Sequence, residues 1–303
     1  MPRQRERGFP LDPEPLPHPV VDNHTHLGHI AEVLPAGVAV PSLADHLARA
    51  RAAGVTRLID VGCDLDSALR TDAAVGEHPE LCGAIALHPN ETVLHAGSWD
   101  MGPDGLQPQR AARHAVPLDE AIARIAALAA SNPRIVAIGE TGLDYFRTGP
   151  EGAVTQREAF RAHIALAKEL GLALQIHDRD AHADVVEVLR ADGAPERTVF
   201  HCFSGDRALA ELAAAQGWYL SFAGPITYRA NDELRAALRA TPLTQVLLET
   251  DAPYLAPVPF RGQPTAPYVA AHTARALAEI LERPLAEVCR QIDENSTRVY
   301  GDW

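Results

Sequence analysis

A chain of 303 residues with 47% hydrophobic and 22% charged side chains has a globular profile and is long enough to bury its core without staples. Its formal net charge of −13 argues against wrapping long nucleic acid, which needs a basic face, but permits an enzyme that grips one or two phosphates through metal ions. No run approaches the roughly 18 apolar residues of a membrane-spanning helix. Cys63, Cys82, Cys202 and Cys289 form no C-x-x-C pair, so thiols of a reducing, cytoplasmic compartment are expected.

In chain order, residues 1–19 carry basic residues but no apolar run and read as a flexible leader, not a signal peptide. Short runs rich in Val, Ile and Leu then predict strands at Val20–Asn23, Arg57–Val61, Ala84–Leu87, Ile135–Gly139, Ala173–Ile176, Thr198–Phe200, Tyr219–Phe222 and Val246–Glu249. Between them, Ala and Leu at three- and four-residue spacings predict helices at Leu43–Ala53, Leu118–Ala130, Glu158–Leu170, Ala181–Ala191, Arg207–Ala215 and Asp232–Ala240. Asn90–Val116, rich in Gly, Pro, Asp and His, reads as a long loop, and Thr265–Leu281 and Leu285–Asp293 as two closing helices. Eight β units with helical crossovers imply a parallel sheet covered by helices, as a closed barrel or a doubly wound open sheet. No G-x-G-x-x-G follows a strand, which disfavours a dinucleotide-binding sheet. Residues 20–303 are expected to form one (β/α)8, or TIM-barrel, domain.

Ligand-type residues cluster where these strands end. Asp22-Asn23-His24-Thr25-His26 follows Val20-Val21, and residues two apart in a strand face one side, so His24 and His26 can share a pocket; a pair of polar loop histidines is the alternative. Ile135–Ile138 runs straight into Glu140, where an unpaired buried charge would be costly but a metal-bridging carboxylate fits; a surface Glu at a turn is the other reading. Asp144 could pair with an arginine or hold a loop. His177 and His201 each follow a short apolar strand, a place where a lone histidine is usually a hydrogen-bonded core residue. Asp251 follows the last strand and can be a ligand, a base toward water, or both, with Glu249 one layer deeper as its support. The five positions together are far more specific than any one of them, because the carboxyl ends of barrel strands converge.

These residues resemble the TatD family of metal-dependent deoxyribonucleases, within the amidohydrolase-like superfamily. The similarity runs from Asp22 to about Tyr300 and is densest at Asp22–Leu27, Ala137–Tyr145, Ile176–Ala181, His201–Gly205 and Leu247–Pro257, with Arg261-Gly262, Asn295 and Arg298 also family-like. The resemblance implies that His24 and His26 bind one divalent ion, His177 and His201 a second, that Glu140 bridges them, and that Asp251 holds the nucleophilic, metal-activated water. It implies hydrolysis of DNA, commonly from a 3′ end of single strands, with no membrane and no obligate protein partner. The ions could be Zn, Mn or Mg, and four imidazoles suit Zn or Mn. Asp178 departs from the Ser common beside the ligand histidine, and Asn90 from a common His; both bear on phosphate grip.

Further substrate contacts are expected from His88, which ends a strand, and from Arg179, whose guanidinium matches two phosphate oxygens. A capped strand end for His88, and a salt bridge to Asp178 or Asp180 for Arg179, are equal alternatives. The nearest rival function is a small-molecule hydrolase of amides, lactones or phosphotriesters on the same fold. Many such sites use a carboxylated lysine, whereas Lys168, the one lysine, falls within a predicted helix.

Overall fold

The computed structural model describes residues 8–34 and 37–303. Strands and helices alternate: β1 (Val20–Thr25), α1 (Leu43–Ala52), β2 (Val55–Gly62), α2 (Leu65–Glu77), β3 (Leu81–Ile85), α3 (Pro89–His95), α4 (Leu118–Ser131), β4 (Ile135–Asp144), α5 (Pro150–Leu170) and β5 (Ala173–Arg179). There follow α6 (His182–Asp192), β6 (Thr198–Phe200), α7 (Arg207–Gln216), β7 (Tyr219–Phe222), α8 (Asp232–Ala240), β8 (Val246–Leu248), α9 (Ala270–Ile280) and α10 (Leu285–Tyr300). The sheet order is β1 to β8 in sequence. This is the (β/α)8 fold, and the doubly wound alternative is excluded because sequential order with a seam between β1 and β8 leaves no switch in strand order. Among the described residues no helix is long and apolar enough to cross a membrane. The chain divides into two compact units, residues 8–60 with 205–303, and residues 61–204.

In the first unit the seam is made by polar groups as much as by the ladder. The Asp251 amide donates to the His24 carbonyl at 2.9 Å, and the His26 amide to the Ala252 carbonyl at 2.7 Å. Below them the Asp22 carboxylate accepts from the Thr250 amide at 2.8 Å and hydroxyl at 2.6 Å, while Asn23 Nδ2 donates to the Leu248 carbonyl at 2.8 Å. These bonds offset the burial of Asp22, of the Asn23 amide and of Thr250 beside so short a β8. Helix α10 buries Val288, Ile292 and Val299 along one face, and Asn295 Nδ2 donates to the carbonyls of Leu243 and Val246, fixing where β8 begins. The expected leader is only partly described: residues 1–7 lie outside the described residues, whereas from Phe9 onward the segment packs on this unit. Phe9 meets His46 edge-on, the Tyr268 hydroxyl donates to the Pro10 carbonyl at 2.5 Å, and the Leu16 amide donates to Ala53.

In the second unit β3, β4, β5 and β6 pair in parallel, with Ala84 opposite Ala137, Thr141 opposite Ile176 and Gln175 opposite Val199. The sequence reading ended β4 at Gly139, but the strand runs to Asp144, past a register irregularity between Ile138 and Thr141. Such an irregularity re-aims side chains, and it contains Glu140. Gly142 makes the extension possible: its φ is +141°, and a Cβ there would stand 2.1 Å from the His177 carbonyl oxygen. Three further expectations are corrected. The third strand lies at Leu81–Ile85, not Ala84–Leu87. Asn90–Val116 is not one loop, since α3 starts at Pro89 with His88 Nδ1 accepting from the Asn90 amide as its cap. Helix α5 begins at Pro150, because proline is favoured in a first helical turn where its missing N–H costs nothing.

Candidate functional site

The first unit brings together His24, His26 and Asp251. Their anchors are the seam bonds above, so the backbone itself aims the side chains. His24 Nε2 and His26 Nε2 lie 3.2 Å apart, and the Asp251 Oδ1 atom is 3.4 Å from His26 Nε2 and 3.9 Å from His24 Nε2. All three residues are buried. Asp251 holds φ at +53°, an uncommon conformation that turns its carboxylate back toward the histidines. Underneath, burial pushes the Asp22 carboxyl up to about 8; bonds from Thr250 oppose this, and Glu249, itself fully buried, adds to it. Glu249 is close enough to act on the charge of Asp22, and both it and Asp251 lie past the end of β8 at Leu248, where strand alternation no longer sets their facing.

The second unit brings together Glu140, His177 and His201, and adds His88 and Asp144. Glu140 Oε2 is 2.8 Å from His201 Nε2 and 3.1 Å from His177 Nδ1, and those two ring nitrogens are 3.5 Å apart. Asp144 Oδ2 takes the other His177 nitrogen at 3.2 Å and is itself held by Asn90, while its second oxygen accepts from the amides of Phe146 and Arg147. A carboxylate on the far nitrogen fixes the tautomer and frees Nδ1 toward Glu140. His88 Nδ1 accepts from the Asn90 amide, so its neutral ring carries the proton on Nε2, 3.3 Å from His177 Nδ1 and 4.0 Å from Glu140.

The charges follow from this crowding. Burial alone would raise Glu140, but His201 and His88, with bonds from His177 and His201, hold its carboxyl well below the usual range. Burial would likewise raise Asp144, and His177 outweighs it downward. Burial lowers His177, yet its bonds to Asp144 and Glu140 win and raise it. His88 is driven down to about 4 by burial and by His177, so it is neutral near neutral pH.

Both groups fit a divalent cation by donor chemistry. In each, two imidazole nitrogens and a carboxylate oxygen converge within 3.9 Å of one another, the nitrogen–oxygen set that Zn and Mn accept. A third cluster, Glu91, His95 and His114, has ligand-type atoms within 4.8 Å of one another but does not fit. Glu91 is already forked by Arg113 at 2.8 and 3.0 Å, and His114 Nδ1 accepts from the Ala111 amide, so its Nε2 must keep the proton it gives Glu91. It is a closed hydrogen-bond network pinning α3 to residues 111–116.

The remaining expectations divide. Arg179 is exposed and lies 4.1 Å over the Phe146 ring rather than against Asp178 or Asp180; Asp178 pairs with His182 at 2.7 Å. Lys168 Nζ donates to the carbonyls of Asp192 and Gly193 at the end of α6, which leaves no lysine for a carboxylated bridge. Asp144 holds the loop after β4 through the Phe146 and Arg147 amides, and in addition takes His177, a contact that the sequence reading does not contain.

The sequence model of the family described as TatD related DNase matches residues 21–301. The chain belongs to the TatD family. It is 41% identical over 286 residues to a Mycobacterium tuberculosis protein called uncharacterized metal-dependent hydrolase TatD, covering 93% of this chain and 98% of that one. It is 33% identical to a Yersinia pseudotuberculosis protein called 3′-5′ ssDNA/RNA exonuclease TatD, covering 83% and 90%. Its fold is that of a TatD-family hydrolase from Entamoeba histolytica, at a TM-score of 0.77, 19% identity, and coverage of 94% and 99%. As a TatD protein the chain is a metal-dependent hydrolase.

Proposed function

We propose that this chain hydrolyses phosphodiester bonds of DNA, as a 3′-5′ exonuclease on single-stranded ends, with two divalent ions held by His24, His26, Glu140, His177, His201 and Asp251. The observation that carries the reading is the presence, in one TatD chain, of two groups that each combine paired imidazoles with a carboxylate. The Yersinia relative's name supports the nucleic-acid substrate and the polarity. Bound divalent ions polarise a phosphoryl oxygen and lower the pKa of water.

This chain's residues supply the rest. His24 and His26 present their Nε2 atoms, and His177 and His201 present Nδ1 and Nε2. Glu140, kept ionised by its histidine neighbours, supplies the carboxylate of the second group. Asp251 orients the attacking water and takes its proton through an oxygen not engaged by the seam, whose bonds use its amide. His88, neutral and with Nε2–H outward from its cap, donates a hydrogen bond to a phosphoryl oxygen. Arg179, propped on Phe146, contacts the phosphate as a planar cation. A cytoplasmic setting suits the four cysteines.

The test is digestion of a single strand labelled at its 5′ or 3′ end, with Mg, Mn and Zn in parallel and a phosphotriester and a cyclic amide alongside. A ladder receding from the 3′ end is the expected result. Turnover of the triester or amide with intact DNA overturns the nuclease reading and leaves a metal-dependent hydrolase.

A further inference from the structure

The segment that follows Asp251 carries more than its ligand. Tyr254 is 44% exposed, an uncommon state for so large a ring in a structured turn. It is fixed there: its amide donates to the Asp251 carbonyl at 2.9 Å, and its ring stands edge-on to His26, 6.2 Å between centroids. Seven residues on, the exposed Arg261 guanidinium lies 4.5 Å over the Tyr228 ring. Among the described residues no carboxylate pairs with Arg261, in a chain with 40 acidic side chains.

Tyr228 is a firm backing for that cation. Its hydroxyl donates to the Ala256 carbonyl at 3.0 Å. Arg235 donates to the carbonyls of Ile226, Tyr228 and Arg229 and so clamps the turn that bears it. Gly224 lets the post-β8 segment press closely, since a Cβ there would meet the Leu255 carbonyl oxygen at 1.9 Å. An exposed aromatic face beside a ligand histidine, with a pre-aimed guanidinium on the same segment, matches one nucleotide in two parts: a base for the ring and a phosphodiester for the cation.

We propose that Tyr254 and Arg261, with Tyr228 as support, form a subsite for an unpaired nucleotide next to the scissile bond, so that this chain favours single-stranded polynucleotides over isolated phosphodiesters. The proposal rests on the nuclease reading above and specifies which residues select the substrate. Stacking on Tyr254 asks the base to be unpaired, because a base inside a duplex offers no free face. Arg261 contributes one counted phosphate contact, which makes its share of affinity fall with salt.

The test compares kcat/KM for a labelled single-stranded oligonucleotide with that for bis(p-nitrophenyl) phosphate, a diester without a base, in wild type and in Tyr254→Leu, Tyr254→Phe and Arg261→Ala. Tyr254→Leu should lower the oligonucleotide-to-small-diester ratio by about tenfold, while Tyr254→Phe, which keeps the ring, retains it. Arg261→Ala should lower the ratio and flatten the salt dependence of oligonucleotide KM by about 0.7 in log–log slope. Loss of both activities in parallel, or an unchanged ratio, overturns the subsite. A wild type that cleaves the small diester but not the oligonucleotide overturns the subsite and the nuclease reading while leaving a phosphodiesterase. A wild type that cleaves oligonucleotides without favouring them over the small diester overturns the subsite alone.

Discussion

The two candidate ligand groups are positioned by different means. His24, His26 and Asp251 are aimed by main-chain bonds across the seam, and their side chains meet one another, with the His29 and Tyr254 rings against His26. Glu140, His177 and His201 are aimed by side chains: Asp144 on one His177 nitrogen, His88 on the other side, and Asn90 behind both. A backbone-set group depends for its aim on the turn after β8. A side-chain-set group is already saturated with shared protons, and a cation must displace them. The difference teaches that similar donor sets on one barrel need not respond alike to pH or to substitution of their neighbours.

The largest expected effect probes the first group. Asp251→Asn keeps the residue's shape and its amide bond to His24 but removes the proton acceptor. Turnover of single-stranded DNA should fall by about 10²- to 10⁴-fold. Circular dichroism and metal binding by the second group should remain as in wild type. A drop below about tenfold would show that Asp251 is not the base.

Next comes the support of the second group. Asp144→Asn leaves His177 without the carboxylate that fixes its tautomer, and should weaken metal binding by about 10- to 100-fold in a chelator-competition titration. The comparison breaks if Thr250→Ala, which touches the other group through Asp22, costs as much metal affinity.

That second expectation also shows how far the sequence was legible. The limits of β6, β7 and α8 were readable because apolar runs bounded by turns leave little choice. His24, His26, Glu140, His177, His201 and Asp251 stood out by their place after such runs, and the structure gathers three of them in each unit. Asp144 did not stand out in this way, because Glu140-Thr141-Gly142 reads as a turn when the strand in fact continues, carried by a glycine conformation that no pattern of apolar residues signals. Helix α3 was hidden in a Pro-, Gly- and His-rich stretch, and its cap is a histidine rather than the usual Ser, Thr or Asp. Arg179 shows the limit for long side chains: its choice of the Phe146 face over nearby aspartates is a tertiary outcome.

A pH series sharpens the contrast with a smaller effect. His177 is raised above the ordinary imidazole range because its bonds to Asp144 and Glu140 outweigh burial. A raised histidine stays protonated to higher pH, so metal affinity of the second group should fall with acidification from a higher pH than for an unperturbed imidazole, by about tenfold per pH unit for each proton displaced. In Asp144→Asn the onset should move to lower pH. Equilibrium dialysis with Zn or Mn between about pH 5.5 and 7.5 checks both, the range spanning about one unit either side of an imidazole's usual value. An onset identical in wild type and variant would mean that Asp144 does not share the proton.

The smallest effect tests the seam itself. Thr250→Val removes the hydroxyl that bonds Asp22 at 2.6 Å and accepts from the Ala252 amide. It should cost about 1 to 2 kcal/mol in denaturant unfolding of the metal-free chain, with turnover at saturating metal changed less than by Asp251→Asn.

The seam has a consequence for the order in which a ribosome delivers the parts. His88, Glu140, His177 and His201 all lie within residues 61–204 and are available once that contiguous stretch has emerged. His24 and His26 emerge first of all the donors, yet their partner Asp251 and the bonds that aim them arrive more than two hundred residues later. At the usual pace of roughly 5 to 20 residues per second, these early histidines wait about ten seconds or longer with their strand edge open. The donors made earliest therefore wait for the segment after β8 before the bonds that aim them can form.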